Sequence, residues 1–149
     1  ITLLSNPHRS LSAVVPDSVQ PWVHRPPAWM LQQRAAAGKA LGLLPPQASV
    51  AADTPLLPLL AQRPVVIRFP NGVDYQDRDG RPASVEWVVA FPGYYAPMTP
   101  VFSAESEQRE ELGSGIKALL ASGCYQQVYD QGGVVVLHRR AAACAPGPR

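Results

Sequence analysis

Seventeen prolines divide this chain of 149 residues into short segments. Proline lacks a backbone N–H and has a fixed φ, so it interrupts helices and is excluded from the centre of a sheet. The prolines cluster before residue 30, at 45–70 and at 92–100, so they punctuate the chain and do not form one linker. Any fold must therefore be assembled from short elements joined by proline-containing turns.

Bulk composition limits the classes of protein to which this chain can belong. Hydrophobic residues make up 46% of the sequence, which is ordinary for a globular domain. The formal net charge of +2 is too small to indicate a nucleic-acid-binding surface. No run of residues approaches the ~20 apolar positions that a transmembrane helix needs. Because the sequence begins at Ile1 and not at a methionine, we expect a soluble domain that is a piece of a longer protein.

Proline, glycine and capping signals divide the chain into three parts. Residues 1–26 are predicted to form an extended arm, residues 27–140 a single domain, and residues 141–149 a disordered tail. Within the domain, apolar periodicity predicts the order helix, strand, helix, strand, strand, helix, strand, strand. The predicted ranges are 27–44, 48–52, 55–62, 65–69, 85–91, 103–122, 125–130 and 134–139.

This order of elements predicts an α/β fold. Strands that alternate with helices favour a parallel sheet with helices on its faces, and the glycine turn at 131–133 predicts a terminal hairpin. We therefore expect a small three-layer, Rossmann-like domain with a mostly parallel sheet of about five strands, ending in an antiparallel hairpin. The dinucleotide-binding motif G-x-G-x-x-G does not follow the first strand, so no cofactor is expected.

Asp53 is the first candidate for a functional residue. It directly follows the first predicted strand, and ligands of open α/β sheets bind at the carboxyl ends of strands. A carboxylate at this position could hold a ribose, a sugar or a metal. The alternative is that Asp53 only caps the helix that follows, and the sequence favours it because aspartate is a preferred N-cap residue.

A weak calcium-binding pattern lies between the second and third predicted strands. Asp77, Asp79 and Glu86 occupy positions three, five and twelve of an EF-hand loop, but the first position is Tyr75 and strands flank the segment. A solvated loop is the favoured interpretation, since aspartate is also a common loop former. No metal site is predicted, with Asp77 and Asp79 as weak candidates, while Glu86 is a candidate ligand contact on its strand.

Two further pairs of residues have more than one interpretation. Tyr94 and Tyr95 follow a Pro-Gly turn and could stack on a sugar, although anchoring of the core is favoured for such aromatic side chains. Cys124 and Cys144 are too few for a disulfide scaffold, and the sequence leaves open whether they pair.

Several segments of the chain resemble a known family. They are PPQASVAA at 45–52, LPLLAQR at 57–63, IRFP at 67–70 and VEWVV at 85–89. Together they resemble the carboxyl-terminal soluble part of the domain of unknown function 2079 family, whose members are predicted polytopic membrane proteins. The opening NPHRS at 6–10 and DSVQPW at 17–22 resemble its cyanobacterial branch. The resemblance covers residues 1–140.

The resemblance implies an accessory role. Family members are similar to membrane glycosyltransferases that use lipid-linked sugar donors, with catalysis in the membrane part. The chain would then be an extracytoplasmic accessory or interaction domain. Its partners would be the membrane-embedded remainder of the same polypeptide and a sugar or lipid-linked sugar, with no nucleic acid.

The chain departs from the family pattern at one segment. Relatives carry Pro-His-Leu-Ser where this sequence has Pro58-Leu59-Leu60-Ala61, which argues against a catalytic role for the segment. Arg63 remains as a candidate contact, and the alternative is that it pairs structurally with a carboxylate. The alternative function is a free-standing small ligand-binding domain or enzyme with its site at the strand ends near Asp53 and Glu86.

Overall fold

The computed structural model describes residues 27–96, residues 103–140 and Cys144. The arm predicted at 1–26 lies outside the described residues, as does the predicted tail apart from Cys144. The described chain contains the following helices and strands: α1 (Pro27–Leu41), β1 (Val50–Ala52), α2 (Leu57–Leu60), β2 (Val66–Arg68), β3 (Asp74–Gln76), β4 (Pro82–Ser84), β5 (Trp87–Ala90), α3 (Pro92–Tyr95), α4 (Ser103–Ala121), β6 (Tyr125–Gln131) and β7 (Val134–Arg139).

Five of the strands form one mixed sheet in the order β2-β1-β5-β7-β6. The central strand β1 pairs in parallel with β2 on one side and with β5 on the other. The β7 strand pairs antiparallel with both β5 and β6. Because β1 is covered on both faces, all three of its residues are buried and apolar.

The prediction of a mostly parallel, three-layer Rossmann-like domain is therefore wrong. Only two of the four pairings in the main sheet are parallel, because β6 and β7 form a hairpin and β7 adds directly to β5. Within the described residues, a helix connects two parallel neighbouring strands once, between β1 and β2, and this helix, α2, is four residues long. The connection from β2 to β5 is a small hairpin of β3 and β4 and not a helix.

The two faces of the main sheet bury separate apolar clusters. Strand residues with alternating orientation face α1 and α2 on one side and α4 on the other. The first cluster includes Ala37, Ala40 and Leu60 from the helices with Val50, Val89 and Val136 from the strands. The second includes Leu112 and Ile116 of α4 with Ala51, Val88 and Leu137.

The predicted helix at 103–122 is confirmed, and one of its two glycines has a packing role. A Cβ atom built on Gly115 would lie 2.8 Å from the ring of Phe69, which is itself buried. No atom comes within 4 Å of the same position on Gly113. Gly115 therefore lets α4 approach the chain that follows β2, whereas Gly113 has no such role.

The two cysteines form a disulfide. Cys124 directly precedes β6, its Cα lies 5.5 Å from that of Cys144, and the two residues are 20 positions apart. The Arg139 guanidinium also donates a hydrogen bond to the Cys144 carbonyl oxygen. The bridge therefore fastens the chain beyond β7 to the start of β6.

Candidate functional site

The ends of the three parallel-paired strands define one edge of the main sheet, which we call the carboxyl edge. Asp53 follows β1, Arg68 is the last residue of β2, and Phe91 follows β5. The short helix α3 begins directly after Phe91 and brings Tyr94 and Tyr95 to the same edge. This edge is where open α/β sheets bind ligands.

Asp53 is completely buried at the carboxyl edge. Its carboxylate Oδ2 accepts a hydrogen bond of 2.9 Å from the backbone N–H of Phe91. Its other oxygen, Oδ1, is buried and has no hydrogen-bond partner among the described residues. The interpretation of Asp53 as a helix cap is wrong, because no side-chain hydrogen bond caps α2 and the carboxylate reaches across to β5.

Burial changes the acid–base chemistry of Asp53. Loss of solvation raises the pKa of its carboxyl from 3.8 to about 7, and the hydrogen bond from the Phe91 N–H opposes this rise only in part. The carboxyl group is therefore near its titration midpoint at neutral pH. In its protonated form it can donate a hydrogen bond as well as accept one.

Tyr95 shares this edge with Asp53. Burial holds the pKa of its hydroxyl above the usual range, and the negative charges of Asp53 and Glu105 act in the same direction. The Arg68 guanidinium lowers the same pKa, so it too lies within electrostatic reach. Asp53, Arg68, Tyr95 and Glu105 are called the carboxyl-edge cluster below.

The cluster combines a buried carboxyl and a buried phenol with a cation and a second carboxylate nearer to solvent. Arg68 is exposed and Glu105 is half-buried. Such a set can hold a proton at Asp53 near neutral pH, and Arg68 and Glu105 are its members within reach of a polar ligand in solvent. No cluster of three or more metal-ligating side chains occurs in the part of the chain that the structure describes.

Tyr94 has a packing environment made of other aromatic rings. Its ring centroid lies 6.1 Å from that of Trp29 on α1, 6.0 Å from Phe91 and 5.4 Å from Tyr95. These contacts connect the start of α1 to α3. Tyr94 is thus an anchor between helices that also borders the carboxyl-edge cluster.

Two of the predicted contacts lie at the opposite edge of the sheet. Arg63 precedes β2, and its guanidinium donates hydrogen bonds to the carbonyl oxygens of Pro45 and, at 3.2 Å, Leu44. Glu86 precedes β5, and its carbonyl oxygen accepts a 2.8 Å hydrogen bond from the Arg139 N–H. The structure therefore brings Asp53, Tyr94 and Tyr95 together and separates Arg63 and Glu86 from them.

The weak metal candidates lie in the turn of the small hairpin. Asp77 Oδ1 accepts hydrogen bonds from the backbone N–H groups of Asp79, at 2.9 Å, and Arg81, at 2.8 Å. Asp79 forms an exposed ion pair of 3.8 Å with the Arg81 guanidinium. The carboxylate of Asp77 stabilises the turn between β3 and β4, so the segment predicted as a solvated loop is a hairpin.

Sequence reasoning missed two members of the carboxyl-edge cluster. Arg68 is a charged residue near the carboxyl end of a predicted strand, and this position could have identified it as a candidate site residue. Glu105 lies in the first turn of α4, where anions are favoured in any helix, so its position in the sequence does not distinguish it. Its proximity to Tyr95 depends on how α4 packs on the sheet, and a single sequence carries no signal for that.

Comparison with known proteins identifies the family but no individual relative. No curated protein and no solved structure matches the chain. None of the described helices is long and apolar enough to cross a membrane. A family model described as predicted membrane protein (DUF2079) matches residues 1–136. Since this match covers most of the sequence, the chain belongs to the DUF2079 family of predicted membrane proteins.

Proposed function

We propose that this domain is an extracytoplasmic accessory module of a membrane-embedded, glycosyltransferase-like protein, and that it helps to position a sugar-bearing substrate. The observation that carries the location is the disulfide between Cys124 and Cys144. Structural disulfides persist in oxidising compartments and are rare in the cytosol. Membership in a family of predicted membrane proteins supports the membrane-embedded remainder as the first partner of the domain.

The accessory role is supported by the chemistry of the described residues. Asp53 is fully buried, and its carboxylate already accepts a hydrogen bond from the Phe91 backbone. No described side chain is paired with it in the way that a nucleophile is paired with its base. The carboxyl-edge cluster is therefore better suited to holding hydroxyl groups than to breaking a bond, and catalysis is assigned to the membrane part.

The location is tested by trapping the thiols of the whole membrane protein in cells. Cells are lysed into acid, and free thiols are labelled with a maleimide that adds measurable mass. We expect Cys124 and Cys144 to be protected until a reductant is added and then to react together. The single variants Cys124→Ser and Cys144→Ser are the matched controls, since each leaves one partner free to react without reduction. Two reactive thiols in the unreduced wild-type protein would place the domain in the cytosol.

The positioning role is tested by titrating the chain with a panel of neutral monosaccharides and following backbone amide resonances. We expect shifts centred on the residues around Asp53 and α3, and their loss in Asp53→Asn and Tyr95→Phe. Tyr125→Phe is the control, because Tyr125 is also a buried tyrosine but bonds the Val85 carbonyl oxygen. Shifts that are absent, or that persist in both cluster variants, would remove the carboxyl edge as the site.

A further inference from the structure

The helices on the two faces of the main sheet carry opposite charge. Residues 27–68 include α1, which carries two exposed basic side chains, Arg34 and Lys39, and no acidic one, and α2, which carries no charged side chain. The acidic side chain in this segment, Asp53, is fully buried. Helix α4 on the other face contains four glutamates against Arg109 and Lys117, a balance of 2 − 4 = −2. The helices that cover the two faces of the sheet therefore differ in charge, with +2 on α1 and −2 on α4.

The positively charged side also exposes apolar side chains. Of the exposed large hydrophobic residues in the described chain, four belong to this segment: Met30, Leu31, Leu43 and Leu59. Leu31 and Leu59 are the most exposed, at 65% and 63%. Single exposed leucines are common on protein surfaces. Met30 and Leu31 lie on the same helix as Arg34 and Lys39, so α1 presents exposed apolar and basic side chains together, and basic side chains at a membrane surface are attracted to anionic lipid.

We propose that the α1–α2 face, defined by Arg34, Lys39, Leu31 and Leu59, docks on an anionic phospholipid surface of the membrane that holds the rest of the protein. Arg34 and Lys39 are both exposed on α1 and can approach lipid phosphates. Leu31 and Leu59 enter the interfacial region, where each buried methylene is favourable. The docking proposal rests on one part of the proposed function, namely that the rest of the polypeptide is embedded in a membrane. It does not depend on whether the domain lies on the extracytoplasmic or the cytoplasmic side of that membrane.

Charge complementarity selects this occupant over a neutral one. An electroneutral protein surface or a zwitterionic bilayer could bury Leu31 and Leu59, but it would attract Arg34 and Lys39 only weakly. The opposite face, with its glutamates on α4, is repelled by the same lipid and so orients the domain with α4 away from the membrane. The carboxyl edge lies between these two faces and would therefore be at the side of the docked domain.

Vesicle flotation of the oxidised 149-residue chain tests the proposal. Vesicles of phosphatidylcholine alone are compared with vesicles that also contain phosphatidylglycerol. We expect binding only to the anionic vesicles at low salt and its loss at high salt, because salt screens exposed charges. Binding of equal strength to both kinds of vesicle, or no binding to either, overturns the proposal.

Matched variants locate the surface. Arg34→Gln with Lys39→Gln should lower the partition coefficient by roughly ten- to thirtyfold, whereas Arg109→Gln with Lys117→Gln, which removes the same charge from α4, should change it by about twofold or less. Leu31→Ser with Leu59→Ser should also weaken binding, and Val128→Ser, at an exposed position on β6, is its control. Equal losses in the α1 and α4 variants would show a diffuse attraction and overturn the assigned surface.

The two proposals fail in distinguishable ways. If the chain does not bind anionic vesicles while the thiols of the cellular protein are protected, the docking surface is wrong and the extracytoplasmic location stands. If the chain binds through α1 while the thiols react without reduction, the docking surface stands and the location is wrong. Because all vesicle variants keep both cysteines and the core, their circular dichroism spectra should match that of the wild-type chain.

Discussion

The Asp53 carboxylate accepts a 2.9 Å hydrogen bond from the Phe91 backbone N–H and so joins the carboxyl ends of β1 and β5. The same carboxyl leaves Oδ1 buried without a partner among the described residues. The Asp53 side chain thus stabilises the contact between the two strands, whereas burial of its charged form lowers the stability of the folded domain. Substitutions can separate these two effects.

Asp53→Asn should flatten the dependence of stability on pH. The pKa of the carboxyl is raised to about 7 in the folded domain, so at intermediate pH the folded state holds a proton that the unfolded chain releases. The contribution to the free energy of unfolding is present below about pH 4 and is lost as the pH rises towards about 7. Its full size is on the order of 4 kcal/mol.

The measurement is urea unfolding of the wild-type chain and the variant across this pH range. The stability of the wild-type chain should fall relative to Asp53→Asn as the pH rises. Asp53→Ala should show the same flat dependence on pH as Asp53→Asn. Its free energy of unfolding should be about 1–3 kcal/mol lower than that of Asp53→Asn, because it leaves the buried Phe91 N–H without an acceptor. Parallel profiles for the wild-type chain and both variants would show that folding does not raise the pKa of Asp53.

Reduction of the Cys124–Cys144 disulfide should lower the free energy of unfolding by about 3 kcal/mol, because the bridge closes a loop of some 20 residues in the unfolded chain. The melting temperature with and without reductant measures the effect. Cys124→Ser and Cys144→Ser should reproduce it, and reductant should then have no further effect on either variant. An unchanged melting temperature on reduction would contradict the expected constraint.

Two alanine substitutions on α4 should have opposite effects. Gly115→Ala places a Cβ atom 2.8 Å from the Phe69 ring and should destabilise the domain by about 1–3 kcal/mol. Gly113→Ala meets no atom within 4 Å and should stabilise the helix by about 0.5–1 kcal/mol. Thermal unfolding of both variants is the measurement. A loss of stability at Gly113 similar to that at Gly115 would show that the effect does not arise from Phe69.

Arg63→Met should lower stability by about 1–3 kcal/mol, because the guanidinium is bonded to the Leu44 and Pro45 carbonyl oxygens and holds the chain after α1. Lysine cannot reproduce a forked contact, so Arg63→Lys should recover less than half of the loss. Denaturant unfolding checks both variants, with Arg78→Met at an exposed position as the control. Wild-type stability in Arg63→Met would point instead to a contact with a partner.

The local elements were largely predictable. The strand at β1, the strand at β5, the β6–β7 hairpin and the long helix α4 were all predicted from apolar periodicity and from glycine and proline signals. These signals act over a few residues. The small hairpin of β3 and β4 was missed, because its aspartates and glycine were interpreted as a loop and the turn bonds of Asp77 leave no periodic apolar pattern.

The candidate site was only partly predictable, for a related reason. Asp53 was identified by its position after a strand, but its partner Phe91 lies 38 residues away. Glu86 was grouped with Asp53 at the strand ends, and Arg63 was kept as a contact from the segment that resembles the family, although each precedes its strand and lies at the opposite edge. Which residues share an edge of the sheet can be deduced only when the pairing and direction of the strands are known, and a single sequence does not give them.

The sequence by itself determined the short elements, the separation of cations from the glutamates of α4, and the resemblance to a family of membrane proteins. Tertiary structure alone decided the strand order, the antiparallel addition of β7 to β5, the pairing of Cys124 with Cys144 and the burial of Asp53. Element formation follows from side-chain periodicity and backbone preferences of adjacent residues. Strand order and the raised pKa of Asp53 depend instead on which segments, far apart in the sequence, pack against one another and exclude water.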